Sequence, residues 1–154
     1  MAAGTWVVYN DFKLNMAKGL VNLSTDAFKI ALFTSASIAV AATVTPATYT
    51  SFATDAHEVA NANGYVTGGV ACGSPTLTGG GGIGTITFAL PNLSFAAASG
   101  GGYTARIAVL YDSTSASKVA IAYMLLDATP ADLAVVAPQI LTIQIGNVFT
   151  ETGN

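Results

Sequence analysis

The chain has 154 residues, of which 8% are charged, whereas an average soluble domain carries about 25%. The formal net charge of −3 and five scattered basic residues exclude a surface that tracks phosphates, so no nucleic acid partner is expected. The sequence also shows no secretory signal pattern, no apolar run of about 18 residues that could cross a membrane, and only one cysteine, which excludes an internal disulfide.

The first 20 residues are predicted to form an N-terminal arm and a short helix. Asn10 is expected to cap this helix, which begins at Asp11. Apolar residues at four-residue spacing mark its buried face: Phe12, Met16 and Leu20.

Short strand patterns dominate the rest of the chain. The segment 27–33 alternates larger and smaller residues, with Lys29 on the less buried face, and a loop follows over 34–48. A helical turn is predicted around Phe52 to Ala60, ending before the Asn-Gly pair at 63 and 64. Further strands are predicted from Tyr65, over 84–90, 103–112 and 119–126, around Val135, and over 140–149, with glycine-rich tips at 79–82 and 100–102 and a polar loop at 112–118.

This succession of short strands and turn signals predicts an all-β fold. We expect one domain over 1–154, an antiparallel β-sandwich of the jelly-roll or immunoglobulin-like type, with one short N-terminal helix. The segments 105–111 and 119–126 are apolar on both faces. Such strands belong in the middle of a sandwich or beneath a partner.

Arg106 is an exception within the apolar stretch 103–112. It is the only charged residue between Glu58 and Asp112. A guanidinium that is desolvated without a carboxylate costs several kcal/mol, so Arg106 is expected to reach the rim, a carboxylate of a neighbouring strand or an acidic group on another chain.

Three features could carry chemistry, but each has a simpler interpretation. The glycines at 79, 81 and 84 match a dinucleotide fingerprint, yet a strand follows instead of the helix that the fingerprint requires. His57 lies beside Asp55 and Glu58, but one histidine and two carboxylates make a thin metal or catalytic set, so a solvated polar turn is expected. Cys72 is expected to be a buried or half-buried thiol. We therefore predict no catalytic residues, cofactor site or metal site.

Two aromatic residues near the N-terminus, Trp6 and Tyr9, could anchor the terminal segment over the core or form a docking surface. Together with Arg106 they are the candidate interface residues.

The order of several phrases resembles a family of small bacteriophage proteins that are encoded among virion genes. The phrases cover nearly the whole chain: TWVVYNDFKLNMAKGLVNLSTDAFKIALFTSAS, HEVANANGYVTGG, TITF, GGYTARIAVLYDSTS, VAIAYMLLDATPAD and LTIQIGNVFT. The resemblance implies a structural component of the particle, made in the bacterial cytoplasm and assembled onto the virion, with no family catalytic residues to carry over.

Three functions remain as expectations. The first is a capsid decoration or cement protein whose partners are the major capsid protein and further copies of itself. The second is a tail or fibre component that contacts the host surface through its glycine-rich tips. The third, an enzyme acting on the bacterial surface, would require cleavage that disappears in a His57→Ala variant.

Overall fold

The computed structural model describes residues 4–79, 85–127 and 131–152. The strands run in chain order as follows: β1 (Val7–Val8), β2 (Phe28–Phe33), β3 (Val70–Ala71), β4 (Thr76–Gly79), β5 (Thr85–Leu90), β6 (Leu93–Ala96), β7 (Gly102–Ala105), β8 (Ile107–Asp112), β9 (Ala120–Leu125), β10 (Leu133–Val136), β11 (Ile140–Ile143) and β12 (Gly146–Thr152). The helices are α1 (Asn10–Ala17), α2 (Tyr49–Thr54) and a 3₁₀ helix over Ile38–Val40. The predicted tip at 79–82 lies outside the described residues, apart from Gly79.

A five-stranded sheet of order β1-β9-β8-β2-β3 forms the centre of the fold. All its pairings are antiparallel, as in Ile30↔Leu110 and Leu110↔Ala122. Every residue of β8 is buried, as are all but the last residue of β9. These two strands are joined through the loop at 112–118, which confirms the predicted antiparallel pair.

Three smaller antiparallel sheets complete the architecture, with orders β12-β5-β4, β10-β7 and β11-β6. Phe28 of β2 meets Phe88 of β5 edge to face, with ring centroids 5.3 Å apart, so the core lies between the large sheet and the three-stranded sheet. Phe12 of α1 packs on Phe149 of β12 at 5.7 Å. The predicted class, an antiparallel all-β sandwich with a short N-terminal helix, is confirmed.

Two segments that the sequence predicted as single strands are each divided between two sheets. The strand predicted over 103–112 is interrupted at Arg106, where β7 pairs with β10 and β8 pairs with β2 and β9. The strand predicted over 140–149 becomes β11 and β12, which belong to different sheets. Gly146, with φ of 51°, supplies the backbone conformation at the second division.

The helix ends also differ from the predictions. Helix α1 starts at Asn10 itself, and its capping residue Tyr9 makes no side-chain cap bond. Helix α2 begins earlier than predicted, because Thr48 and Ser51 form a reciprocal capping box at its start. No helix in the described part of the chain is long and apolar enough to cross a membrane.

Candidate interaction surface

The surface of the chain combines few charges with many exposed apolar side chains. The large apolar residues that are exposed are Val7, Leu14, Leu20, Ile38, Val40, Val66, Leu77, Ile86, Val136 and Ile140. Within the described ranges the only ion pair joins Lys13 to Glu151 at 3.7 Å. A surface of this kind repels a second protein weakly and gains free energy when it is covered.

An apolar groove of about 340 Å³ separates the end of α1 from the three-stranded sheet. Met16 and Phe149 line it, together with Leu77 and Ile86, which are 42% and 46% exposed. Leu77 belongs to β4, the edge strand of its sheet, and all four residues of β4 are exposed. Charged residues and proline commonly protect edge strands from pairing with another chain. β4 contains neither.

Arg106 lies where the chain leaves one sheet for another. Its backbone N–H donates to the Phe33 carbonyl and its own carbonyl accepts from the Leu126 N–H, both at 2.8 Å. The residue is half-buried. Its guanidinium makes no hydrogen bond and has no carboxylate within 4.0 Å among the residues that the structure describes. The backbone of Arg106 is therefore fixed, while its charge has no partner among the residues that the structure describes.

Tyr9 and Trp6 occupy different environments. Tyr9 has no exposed surface, its hydroxyl donates to the Ala39 carbonyl, and its ring lies 5.4 Å from that of Tyr123. Burial raises its pKa, so the hydroxyl stays protonated. Tyr9 therefore anchors the N-terminal segment over the core and has no surface to offer a partner. Trp6 is half-buried, so it is the residue of this pair that keeps some exposed surface, and its role in docking stays a prediction.

Glu58 holds together a network that the sequence did not reveal. Its carboxylate accepts from the Tyr49 hydroxyl at 2.8 Å, the Tyr65 hydroxyl at 2.7 Å and the Gly68 N–H at 2.7 Å. Burial, and next the hydrogen bond to Glu58, raise the pKa of Tyr49, so its phenol remains a donor. The interpretation of 55–58 as a solvated turn is wrong for Glu58, which is half-buried and whose carboxylate joins α2 to the turn at 65–68.

A cleft of about 430 Å³ opens beside this network. Its lining is mostly apolar or neutral and includes Tyr103, Asn63 and Val136 in addition to Glu58. The Tyr103 hydroxyl donates to the Phe95 carbonyl at 3.0 Å, so it is already satisfied within the chain. The cleft adds a concave region to the surface, and the Glu58 carboxylate that borders it is already hydrogen-bonded within the chain.

Cys72 and His57 are the other two side chains that the sequence singled out for possible chemistry. Burial raises the pKa of the half-buried Cys72 thiol to about 12, so it is protonated and weakly nucleophilic near neutral pH. This confirms the predicted half-buried thiol. The contact of His57 with its surroundings runs through its backbone carbonyl, which accepts from the Thr34 N–H at 2.9 Å.

No protein-family model, curated protein or solved structure matches this chain.

Proposed function

We propose that the protein is a structural component of a bacteriophage virion, and that it is a capsid decoration or cement protein. In this role it is made in the host cytoplasm, binds the major capsid protein and further copies of itself, and strengthens the head by covering joints between capsid subunits. The observation that carries the proposal is a surface with many exposed apolar side chains and a single ion pair in the described residues. The order of sequence phrases described above supports the same role.

The surface chemistry fits repeated contact between proteins. The centres of protein interfaces are depleted in charge and enriched in aromatic, methionine and arginine side chains. The apolar groove beside Leu77 offers an aromatic and a methionine side chain, and Arg106 offers a guanidinium with no ion pair among the described residues. Arg106 would bind a carboxylate of the capsid surface, since guanidinium groups match carboxylates in paired hydrogen bonds.

Occupancy of phage heads tests the role of Arg106. Heads purified without this protein would be mixed with the wild-type chain, with Arg106→Ala, or with Lys18→Ala as a control that removes an exposed positive charge. We expect Arg106→Ala to weaken binding by at least about tenfold, because a buried partner carboxylate would lose its ion pair. Wild-type occupancy by Arg106→Ala would contradict this role.

The number of copies per particle distinguishes a role in the head from a role in the tail. A decoration protein should be present on heads in a multiple of the capsid lattice, whereas a tail or fibre component should be present in few copies and be absent from tailless heads. Labelling the protein on intact particles and counting copies would decide between them. Sedimentation velocity at micromolar concentration would show whether the chain already binds copies of itself before it meets a head.

A further inference from the structure

Strand β4 leaves one edge of the three-stranded sheet open. Among the strands that the structure describes, it is the one whose residues are all exposed. It pairs with β5 on one side only, so within the described residues the backbone groups that point the other way meet no strand. An open edge of this kind can take up a further strand through its main-chain hydrogen bonds.

A row of threonines crosses the three strands and ends at β4. Thr150 of β12 lies opposite Thr87 of β5, and Thr87 lies opposite Thr78 of β4. The hydroxyls of Thr150 and Thr87 are hydrogen-bonded at 3.4 Å. Cross-strand threonine pairs of this kind stabilise sheets. The row therefore has an open end at Thr78, which is exposed.

An apolar row lies on the other face of the same sheet, since neighbouring residues of a strand point to opposite faces. Phe149 and Phe88 lie opposite each other with ring centroids 5.6 Å apart, and Leu77 of β4 lies opposite Phe88. Phe88 is fully buried, but Leu77 at the end of the row is exposed beside the apolar groove. This row also ends at the open edge.

The distribution of charge favours a second copy of the chain at this edge. Each copy has a net charge of −3, so two copies repel each other wherever their acidic groups meet. No charged residue occurs over 59–105, the stretch that contains both β4 and β5. Glu151, which lines the groove, is already paired with Lys13. Two copies can therefore meet at β4 without bringing like charges together.

We propose that two copies of the chain pair through β4 about a twofold axis, with Leu77 opposite the partner subunit's Leu77. An axis perpendicular to the sheet makes the two strands antiparallel and keeps their faces aligned. Thr78 then lies opposite the partner subunit's Thr76. The apolar row meets its own equivalent, and the threonine row gains a further hydroxyl. The two sheets join into one continuous sheet, and the two grooves adjoin.

One other register keeps the faces aligned nearby, because a shift by a single residue would place inward side chains opposite outward ones. It sets Thr78 opposite the partner subunit's Thr78. Leu77 would then lie opposite the partner subunit's Gly79, which has no side chain, so the apolar row would stop there. The register centred on Leu77 buries more apolar surface and is therefore the one we infer.

This pairing deepens the proposed function and rests on it in one respect, because it names how copies of the protein bind one another. The two can fail separately, since binding to heads tests the capsid role and the experiments below use the purified full chain alone. Because the paired strands are short, we expect a weak dimer with a dissociation constant on the order of 10 to 100 μM.

Cysteine cross-linking locates the pairing. Leu77→Cys and Thr78→Cys would each be made in a Cys72→Ala background and oxidised mildly at a concentration above the dissociation constant. Leu77→Cys should form a disulfide-linked dimer, because its Cβ atom would lie about 5 Å from that of its equivalent. Thr78→Cys should stay monomeric, since its equivalent would be a diagonal neighbour at about 7 to 8 Å. A disulfide dimer from Thr78→Cys, or from neither variant, would overturn this pairing.

Sedimentation velocity over a range of concentrations tests the dimer without oxidation. Leu77→Lys should raise the dissociation constant at least about tenfold, because two ammonium groups would oppose each other and the leucine contact would be lost. Ile140→Lys is the matched control, because Ile140 is 62% exposed and lies on β11, at the edge of a different sheet. A wild type that stays monomeric at the highest concentration, or a dimer that Ile140→Lys weakens as much as Leu77→Lys, would overturn the proposal.

Discussion

Two strands with few charged residues lie in opposite environments. They are β8, in the five-stranded sheet, and β4, at the edge of the three-stranded sheet. Every residue of β8 is buried, and every residue of β4 is exposed. In β8 the apolar side chains stabilise the chain itself. In β4 and the groove beside it, apolar surface remains uncovered, so its free energy is available for contact with another protein. A low charge content therefore predicts burial without saying whether the chain itself or a partner provides it.

Truncation of leucine side chains should separate these two roles most strongly. Leu110→Ala in β8 should lower the free energy of unfolding by about 3 to 4 kcal/mol, because it leaves a cavity in a fully buried strand. Leu77→Ala in β4 should cost less than about 1 kcal/mol, since Leu77 is already 42% exposed. Urea unfolding of both variants measures the difference. Equal losses would mean that β4 is as necessary to the fold as β8.

Removal of one hydroxyl should have the next largest effect. The Tyr65 hydroxyl donates to Glu58 and accepts from the buried Leu32 N–H at 3.0 Å, so Tyr65→Phe leaves that N–H unsatisfied. We expect a loss of about 2 kcal/mol. Tyr123→Phe is the matched control, because the Tyr123 hydroxyl makes no hydrogen bond among the described residues, and should change stability by less than about 0.5 kcal/mol. A similar loss in both variants would show that the Glu58 network contributes little.

The contribution of Asp112 to the stability of the wild type should depend on pH. Burial raises the folded-state pKa of this carboxyl above its ordinary value of 3.8, so the folded protein holds the proton more tightly than the unfolded chain. The stabilising contribution is complete at pH below 3.8 and is lost as the pH rises through the folded pKa. Relative to Asp112→Asn, the wild type should thus lose stability on going upward through this range, by at most about 1.4 kcal/mol per pH unit.

Urea unfolding at several pH values from 4 to 7 would measure this difference. A wild type and variant whose stabilities stay parallel across the range would contradict the raised pKa.

The smallest effect on stability is expected for the exposed ion pair between Lys13 and Glu151. The side chains of Lys13 and Glu151 are 57% and 55% exposed, so their ion pair is screened by water and salt. Lys13→Ala should change the free energy of unfolding by less than about 0.5 kcal/mol. Unfolding in low and high NaCl should likewise give nearly the same result, whereas a loss above 1 kcal/mol would assign this pair a structural role.

The central strands could be predicted from the sequence because their residues are apolar on both faces, which leaves few alternatives to the middle of a layered fold. The interruption at Arg106 could not be predicted, because the strand-like pattern of the sequence continues on both sides of this residue. A change of sheet is decided by which strands offer free edges, and that depends on β10 and β2, both remote in the chain. The unexpected charge was the one signal of the interruption.

The candidate sites were less predictable than the fold. The residues beside Glu58 in the sequence indicated exposure, while its actual partners, Tyr49 and Tyr65, reach it from α2 and from the turn before β3. Asp112 was predicted within a polar loop, but the loop folds back and encloses its carboxylate. In each case one acidic group of a polar segment is withdrawn from solvent. The spacing of apolar residues in the sequence carries no information about this burial.

The passage of the chain from β7 to β8 has a mechanical consequence. There is no slack between the two strands, because only Arg106 separates them and both its backbone groups are bonded, to Phe33 and to Leu126. A force that displaces the small sheet β10-β7 is therefore transmitted directly to the central strand, as at the corners of sandwiches where one strand serves two sheets. The two sheets should move together as one stiff unit under load instead of hinging about a loop.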